Sequence, residues 1–361
     1  MTEAFPLIEA EGPPFERGVA IGRQGGERIA RSIALYDRLL DPDWEDVRRI
    51  AMQYLPRLEA FDSALVEEMR GIASGAERAI GDIVALNART ELIHDIGGIS
   101  GPDGCTGAIA LPEATANGHL LHGQNWDWFD ACKDTAVVMR IEREDGLRLL
   151  IFVEAGIVAR AGMNSHGIAV TGNFLACPGS PQEDAVPIPF IRRRVLESAG
   201  LAAALGCVLN AKRSFPVNLM ISDATGEAVN LETTPQEVFW EKPGRGLLVH
   251  ANHFRTAAAR ARVIDTGLAQ APSSIYRDSR VERRLGQSLG HITSADMEEA
   301  FADTWGTPSA VLASPGADSQ GDAEPSSTVA TVIMDTTERV MRVARAPYAG
   351  RITFSEYRLD D

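Results

Sequence analysis

The chain has 361 residues, of which 45% are hydrophobic and 24% charged, and its formal net charge is −15. This length suits two or three domains or one large domain, and the composition is typical of a globular protein. The acidic balance disfavours nucleic acid and anionic membranes as partners, because a negative surface is not attracted to phosphate backbones or anionic lipid.

Four cysteines are present, Cys105, Cys132, Cys177 and Cys207, and none is part of a CxxC pair. They provide neither a disulfide framework nor zinc-ribbon spacing, so at least one thiol is available for chemistry. The first residues lack a basic patch followed by an apolar run, and nowhere do eighteen apolar residues stand together. We therefore expect a cytoplasmic protein that does not cross a membrane.

Residues 14–96 show helical periodicity. Leu65, Met69 and Ile72 recur at spacings of three or four, and Asp62 offers an N-cap just before them. This pattern predicts a mostly helical first part of the chain.

From Cys105 onward the pattern shortens to strand-length runs, separated by turn formers such as Asn117-Gly118 and Asp145-Gly146. The runs are CTGAIAL, HLLHGQNW, TAVVMRIE, RLLIFVE and GIAVTGNF. Helical stretches follow around 188–213 and 277–303, and further strands at 215–251 and 328–356. The segment between Ala313 and Thr328 is rich in Ser, Gly, Pro and acidic residues and predicts a solvated loop. The sequence therefore predicts an α+β fold in which helices cover sheets.

The motif with the clearest chemistry is Gly104-Cys105, where a cysteine opens a strand after a glycine-rich segment. A thiol in this position could attack the carbonyl of Gly104, form a thioester by an N-to-S acyl shift, and release a chain that begins at Cys105. The freed α-amine has a reference pKa of about 7.7 to 8.0, so it could then act as a base toward its own thiol. By spacing alone, a turn that leads to a buried, inert cysteine is the favoured interpretation.

Around this motif the sequence resembles the acyl-coenzyme A:6-aminopenicillanic acid acyltransferase family of N-terminal nucleophile (Ntn) hydrolases. Members of the family include beta-alanyl-amine hydrolases, and choloylglycine hydrolases and penicillin V acylases are more distant relatives. The landmarks that carry the resemblance occur in family order: GPPFERGVAIGRQGGERI, DGCT with GQNWDW, MNSHGIAVTGNF, HANHF, SRVER and TVATVIMDTTERVM.

The resemblance implies an αββα sandwich of two antiparallel sheets between helical layers. It also implies a precursor that cuts itself between Gly104 and Cys105. Residues 1–104 would then form a helical small subunit, and residues 105–361 the catalytic sandwich. The two pieces would share one hydrophobic core and remain associated as an αβ heterodimer.

The resemblance makes Cys105 the nucleophile and Asp127 the carboxylate beside it, which would accept hydrogen bonds from the α-amine. A surface position for Asp127 is the alternative, but its neighbours Trp126 and Trp128 favour a partly buried, partnered one. Asn173 and Asn252 correspond to the oxyanion donors of the relatives, although as isolated residues they would be interpreted as turn asparagines.

Ser279 and Arg280 match a serine and an arginine near the nucleophile in the family. A fixed guanidinium there would favour the thiolate, whereas the alternative is a solvent-facing helix cation. Choloylglycine hydrolases carry arginine where this chain has Gln124, and the acyltransferase branch carries glutamine. We therefore expect one cation fewer beside the nucleophile, and a main activity other than bile-acid or penicillin V cleavage.

Three other hypotheses remain. His119 with His122, or His250 with His253, could bind a metal, but residues three apart on a strand face opposite sides. His250 or His253 could form a papain-like pair with Cys105 without self-cleavage. The chain could also be a non-catalytic binding relative.

We expect a self-processing amidohydrolase or acyltransferase that cleaves a linear amide of a small molecule through a thioester. Hydrolysis is favoured, since no feature of the sequence indicates a site for a second amine. No Walker or dinucleotide motif is present, so we expect no cofactor and no metal. The sequence leaves a homo-oligomer open.

Overall fold

The computed structural model describes residues 4–41, 43–96, 104–315, 324–346 and 352–361. The glycine-rich residues before Gly104 and most of the predicted loop before Thr328 lie outside the described residues. Among the described residues, no helix is both long enough and apolar enough to cross a membrane.

The strands are, in chain order, β1 (Leu7–Glu11), β2 (Cys105–Ala110), β3 (Leu121–Phe129), β4 (Ala136–Glu142), β5 (Arg148–Glu154), β6 (Ala161–Asn164), β7 (Ile168–Phe174), β8 (Val217–Asp223), β9 (Glu227–Thr233), β10 (Val238–Glu241), β11 (Leu247–His250), β12 (Ser326–Asp335), β13 (Val340–Arg345) and β14 (Ser355–Arg358). The α-helices are α1 (Pro14–Leu39), α2 (Trp44–Ala51), α3 (Leu55–Phe61), α4 (Ser63–Gly75), α5 (Ile80–Asn87), α6 (Arg89–Ile96), α7 (Ile188–Leu196), α8 (Leu201–Leu209), α9 (Ala257–Arg262), α10 (Gly267–Gln270), α11 (Ser274–Gly286) and α12 (Ser294–Phe301).

The strands form two sheets. The larger has the order β1-β4-β5-β6-β7-β8-β9-β10, and the smaller has the order β11-β2-β3-β12-β13-β14. Neighbouring strands pair antiparallel, as predicted, whereas β1 pairs parallel with β4. Strand β2 therefore lies in the interior of the smaller sheet, which fixes both neighbours of Cys105.

The two sheets stack face to face, and β2 lies against β7. His122 of β3 bridges the sheets, with its ring nitrogens 2.9 Å from the hydroxyls of Ser222 and Thr171. Helices α1, α7 and α8 cover the larger sheet, and α11 and α12 cover the smaller one. This arrangement confirms the predicted four-layer αββα sandwich.

The N-terminal segment is mostly helical, as predicted, and Asp62 caps α4 by accepting a hydrogen bond from the Leu65 N–H at 3.0 Å. Helices α1 and α4 pack closely because glycines face each other. A Cβ on Gly18 would lie 2.1 Å from the Glu68 carbonyl oxygen, which no side chain tolerates. The segment also supplies β1, a strand that the sequence did not predict, so residues before Gly104 complete the edge of the larger sheet.

Candidate active site

Cys105 is the first residue of β2 and is only 2% exposed. It pairs with Trp126 of β3, and one position earlier the Gly104 carbonyl accepts the Asp127 N–H at 2.8 Å. A Cβ on Gly104 would lie 2.6 Å from Asp127 Oδ2. A side chain at position 104 would displace the Asp127 carboxylate, so glycine lets this carboxylate lie against residue 104.

Asp127 is 5% exposed, and its Oδ1 accepts the Thr328 hydroxyl at 2.6 Å. The structure thus places Asp127 in the buried, partnered position that its flanking tryptophans predict, rather than at the surface. Because side chains alternate along a strand, Trp126 and Trp128 face the same cleft as the Cys105 thiol.

The nitrogen of Cys105 donates to Asn252 Oδ1 at 2.7 Å. The same oxygen accepts Arg277 Nη2 at 2.8 Å, while Arg277 Nη1 donates to the Cys105 carbonyl at 2.9 Å. Asn252 is itself held by the Ser274 hydroxyl, which accepts the Asn252 N–H at 2.7 Å. Helix α11, which carries Ser274 and Arg277, therefore fixes the amino end of the candidate nucleophile.

Asn173, near the end of β7, immediately precedes Phe174, whose carbonyl binds Asn252. Its Nδ2 is 3.5 Å from the His250 carbonyl oxygen, and its Oδ1 accepts Asn218 Nδ2 at 3.2 Å. Asn252 Nδ2 donates to the carbonyl of the next residue, Phe174, at 3.0 Å. The structure therefore brings both predicted asparagines to the same end of the sheets, where the amide nitrogen of each faces a backbone carbonyl.

The predictions for Ser279 and Arg280 are corrected by the structure. Arg280 forms an ion pair with Asp303 at 2.6 Å and stacks on Trp305, while the Ser279 hydroxyl donates to the Ile275 carbonyl within its own helix. Arg277, three residues earlier, is the cation of this helix that contacts Cys105. Three residues advance a helix by roughly 4.5 Å, which moves Arg280 beyond reach of the nucleophile.

A cation that the sequence analysis did not predict lies beside the thiol. Arg160, just before β6, places Nη2 3.6 Å from Cys105 Sγ and Nη1 3.2 Å from Gln124 Oε1. Its guanidinium also lies 4.1 Å from the centre of the Trp126 ring. The side chain of Gln124 therefore binds Arg160, an arginine that comes from the segment before β6. The sequence contains a signal for this residue: Arg160 is the one charge in the apolar run AGIVARAGM, where burial requires a partner.

The histidines have partners other than Cys105. Both ring nitrogens of His250 are bonded, to Glu232 and to the Ala251 carbonyl, and His253 Nδ1 lies 2.8 Å from the Ser274 hydroxyl. Burial lowers the pKa of His122 to about 3, so that histidine stays neutral. In the parts of the chain that the structure describes, no group of three His, Cys, Asp or Glu side chains could hold a metal ion. The geometry favours neither the papain-like pair nor a metal site.

The arrangement has the parts that acyl transfer needs. A thiol lies beside a fixed cation, and the nitrogen of the same residue is oriented by a hydrogen bond to the amide side chain of Asn252. The carbonyl of Gly104, which accepts a hydrogen bond from the Asp127 N–H of β3, precedes the same thiol in the chain.

Comparison with known proteins gives one matching family. The sequence model of the acyl-coenzyme A:6-aminopenicillanic acid acyl-transferase family matches residues 114–346, which include Asp127, Asn173, Asn252 and Arg277 and begin after Cys105. The chain is 29% identical over 303 residues to the acyl-coenzyme A:6-aminopenicillanic-acid-acyltransferase 40 kDa form of Emericella nidulans, over 82% of this chain and 80% of that protein.

Two solved structures of variants of the conjugated bile acid hydrolase from Clostridium perfringens align with TM-scores of 0.51 and 0.52. Their identities to this chain are 15% and 16%, and both alignments cover 71% of this chain and 94% of the hydrolase. At this identity the likeness concerns the fold alone, and it confirms the predicted Ntn-hydrolase sandwich.

Proposed function

Since the chain belongs to the acyl-coenzyme A:6-aminopenicillanic acid acyltransferase family, we propose that it is a self-processing N-terminal cysteine amidohydrolase that cleaves linear amides through a thioester. The family and its structural relatives make it an enzyme, an amidohydrolase or acyltransferase of the Ntn type. The finer assignment rests on one observation: the nitrogen, carbonyl and sulfur of Cys105 are each held by a separate buried side chain, Asn252, Arg277 and Arg160.

The first reaction is self-cleavage. The Cys105 thiol attacks the Gly104 carbonyl carbon, the C–N bond breaks as the nitrogen takes up a proton, and the resulting thioester is hydrolysed by water. The close approach of Asp127 to Gly104 supports this step, because the carboxylate can orient the scissile peptide and then stabilise the new ammonium group.

The second reaction is amide hydrolysis. The free α-amine of Cys105 removes the thiol proton, and the sulfur attacks the substrate carbonyl. The Cys105 ammonium group gives that proton to the leaving amine of the substrate. The α-amine of Cys105, neutral again, then deprotonates the water that hydrolyses the thioester. Asn173 and Asn252 donate to the tetrahedral oxyanion, and one such donor is typically worth about 3 kcal/mol of barrier.

We propose that the residues before Cys105 stay bound after cleavage as the smaller subunit. Strand β1 remains hydrogen-bonded to β4, and Glu68 of α4 forms a buried ion pair with Arg193 of α7 at 2.8 Å. Arg89, also from this segment, pairs with Glu154 of β5 at 2.5 Å at the wall of the cleft. The N-terminal segment therefore contributes to the catalytic cleft itself.

Intact-mass measurement tests self-cleavage. The purified protein should give two chains that meet between Gly104 and Cys105, whereas the variant Cys105→Ala should give one. Cys207→Ala, which removes a half-buried thiol elsewhere, should be cleaved like the wild type. Two chains from Cys105→Ala would exclude this thiol as the agent of cleavage.

A substrate panel tests the catalytic assignment. N-acyl amino acids, beta-alanyl amines and penicillins are offered to the cleaved protein, and release of the amine is measured. Hydrolysis of at least one linear amide, abolished by prior alkylation of Cys105, is expected. An intact chain that nevertheless turns over amides would favour the papain-like alternative, and an intact chain with an unreactive thiol would favour a binding relative.

A further inference from the structure

A buried carboxylate, Glu232 of β9, lies between the two sheets near the candidate active site. It is fully buried and lies directly opposite Asn218 of β8, which in turn lies opposite Asn173 of β7. Because residues directly opposite each other share one face of a sheet, Glu232 faces the same side as Asn173. Neither proposed reaction uses this carboxylate.

Glu232 binds the chain on both sides of Asn252. Its Oε1 lies 2.9 Å from His250 Nε2 and accepts the Arg255 N–H at 2.6 Å, and its Oε2 accepts the Thr256 hydroxyl at 2.7 Å. The Thr256 N–H lies 3.3 and 3.2 Å from the two oxygens. The carboxylate therefore joins the last residue of β11, on the smaller sheet, to the far end of the loop that carries Asn252.

The loop depends on these bonds for its conformation. Residues 251–256 form neither helix nor strand, so no backbone ladder fixes their course. Burial alone would raise the pKa of Glu232, but the hydrogen bond from His250 and those from the loop hold that pKa below its usual value. A buried, ionised carboxylate is costly to leave without its donors, and this cost confines the donors to positions from which they reach it.

Asn252 lies within this loop and contacts the candidate nucleophile. Its Oδ1 accepts the nitrogen of Cys105 at 2.7 Å. A shift of about 1 Å would take the two atoms out of hydrogen-bond range, and a misplacement of that size can cost about a hundredfold in rate. The position of the loop therefore matters for catalysis as well as for stability.

We propose that Glu232 is a positioning residue: by binding the chain before and after Asn252, it holds the Asn252 amide against the nitrogen of Cys105. This inference rests on the proposed function, in which Asn252 donates to the oxyanion. Glu232 does not touch the reacting atoms and acts through Asn252. Its replacement should therefore slow the chemical step more than it weakens substrate binding.

Steady-state kinetics of Glu232→Gln test this role, with the panel amide that the wild type hydrolyses fastest. The new side chain has the same size, but one of its two ends donates hydrogen bonds instead of accepting them. The value of kcat should fall about tenfold or more, with KM changed by less than about twofold. Glu227→Gln, at the exposed start of the same strand, is the matched control and should equal the wild type. Unchanged kcat in Glu232→Gln would overturn the proposal.

A double-mutant cycle distinguishes positioning from a general contribution to folding. If Glu232 acts through Asn252, Glu232→Gln should have almost no further effect on kcat in the Asn252→Ala background. A loss by the same factor in both backgrounds would overturn the proposal. If Glu232→Gln does not fold, Thr256→Val takes its place in the cycle, because it removes the hydroxyl that donates to Oε2 and keeps the carboxylate.

A crystal structure of Glu232→Gln separates failure of this proposal from failure of the proposed function. In the variant, Asn252 Oδ1 should lie beyond hydrogen-bond distance of the Cys105 nitrogen. Displacement of Asn252, in a protein whose wild type hydrolyses no amide, would support the positioning role and overturn the hydrolase assignment. An unmoved Asn252, with equal amide hydrolysis by variant and wild type, would overturn the positioning role and leave the hydrolase assignment standing.

Discussion

The Nη2 atom of Arg160 lies 3.6 Å from the sulfur of Cys105. Cys105 begins a strand of the smaller sheet, whereas Arg160 immediately precedes β6, a strand of the larger one. Arg160 is held in turn by Gln124 and by the face of Trp126. A cation fixed at this distance stabilises a thiolate more than a thiol. We therefore expect Arg160, brought to Cys105 by the stacking of the two sheets, to raise the reactivity of the thiol.

Replacement of Arg160 should change the reactivity of the thiol. In Arg160→Gln, the profile of Cys105 alkylation rate against pH should move to higher pH by about one unit, because the stabilising charge is removed. Arg160→Lys, which keeps a positive charge, should have a profile close to that of the wild type. Arg280→Gln is the matched control, since that arginine pairs with Asp303 instead, and its profile should coincide with that of the wild type. A shift in Arg280→Gln, with none in Arg160→Gln, would contradict the placement of the two cations.

Asn252 combines two functions that substitution can separate. Its Oδ1 accepts the Cys105 nitrogen, and its Nδ2 is the group that would donate to an oxyanion. Asn252→Ala should lower amide turnover by about two orders of magnitude. Asn252→Asp keeps the acceptor and removes the donor, so it should be equally slow. Turnover is measured per mole of cleaved chain, and the surface variant Asn210→Ala is the control. Wild-type turnover in Asn252→Asp would limit this residue to orienting the amine.

Glu68 should be essential for joining the N-terminal segment to the sandwich. It is fully buried and pairs with both Arg17 and Arg193. Glu68→Gln removes the carboxylate of the buried Arg17 and one of the two carboxylates of Arg193, which keeps Glu197, so the free energy of unfolding should fall by about 3 kcal/mol. Urea unfolding of the uncleaved Cys105→Ala chain measures this. The control is Glu67→Gln, which removes an exposed partner of Arg70 and should cost little. Equal losses in both variants would argue against a special role for the buried pair.

Glu91 should make the stability depend on pH. Burial raises its pKa from 4.5 to about 7, although the Ser214 hydroxyl and the Ile188 N–H donate to its Oε1. Because the folded state holds this proton more tightly than the unfolded state, stability is full below about pH 4.5 and decreases as the pH rises through about 7.

The decrease attributable to Glu91 should be at most about 3 kcal/mol, and Glu91→Gln, which is neutral at every pH, should lack it. Urea unfolding at pH 5 and pH 8 in the Cys105→Ala background checks this. Glu144→Gln, in an exposed turn, should keep the pH dependence of the parent. If the free energy of unfolding changes equally between pH 5 and pH 8 in Glu91→Gln and in its parent, the Glu91 carboxyl group does not hold its proton more tightly in the folded state.

The sequence predicted much of the fold because local signals agreed with tertiary structure. Strand-length runs between turn formers predicted β2, β3, β4, β5 and β7. Their bounds agree to within two residues except at the end of β3, which continues three residues beyond the predicted run, and β6 was not predicted. The single helical stretch predicted around 188–213 forms α7 and α8, because the chain breaks before Gly200. Strand β1 was missed, since its five residues, LIEAE, become a strand only by pairing with β4, far along the chain.

The order of motifs along the chain predicted the candidate nucleophile, its carboxylate and the two asparagines. It could not decide between Arg277 and Arg280, because both lie on the same helix in similar local sequence. Only the packing of α11 against β2 and β11 places Arg277 at Cys105 and Arg280 at Asp303. The cleft charges were equally hidden, since Arg89, Arg160 and Arg192 converge from three distant segments. Local sequence fixes which residues can form a strand or a helix; contacts between distant segments, set by how the layers stack, decide which charges meet.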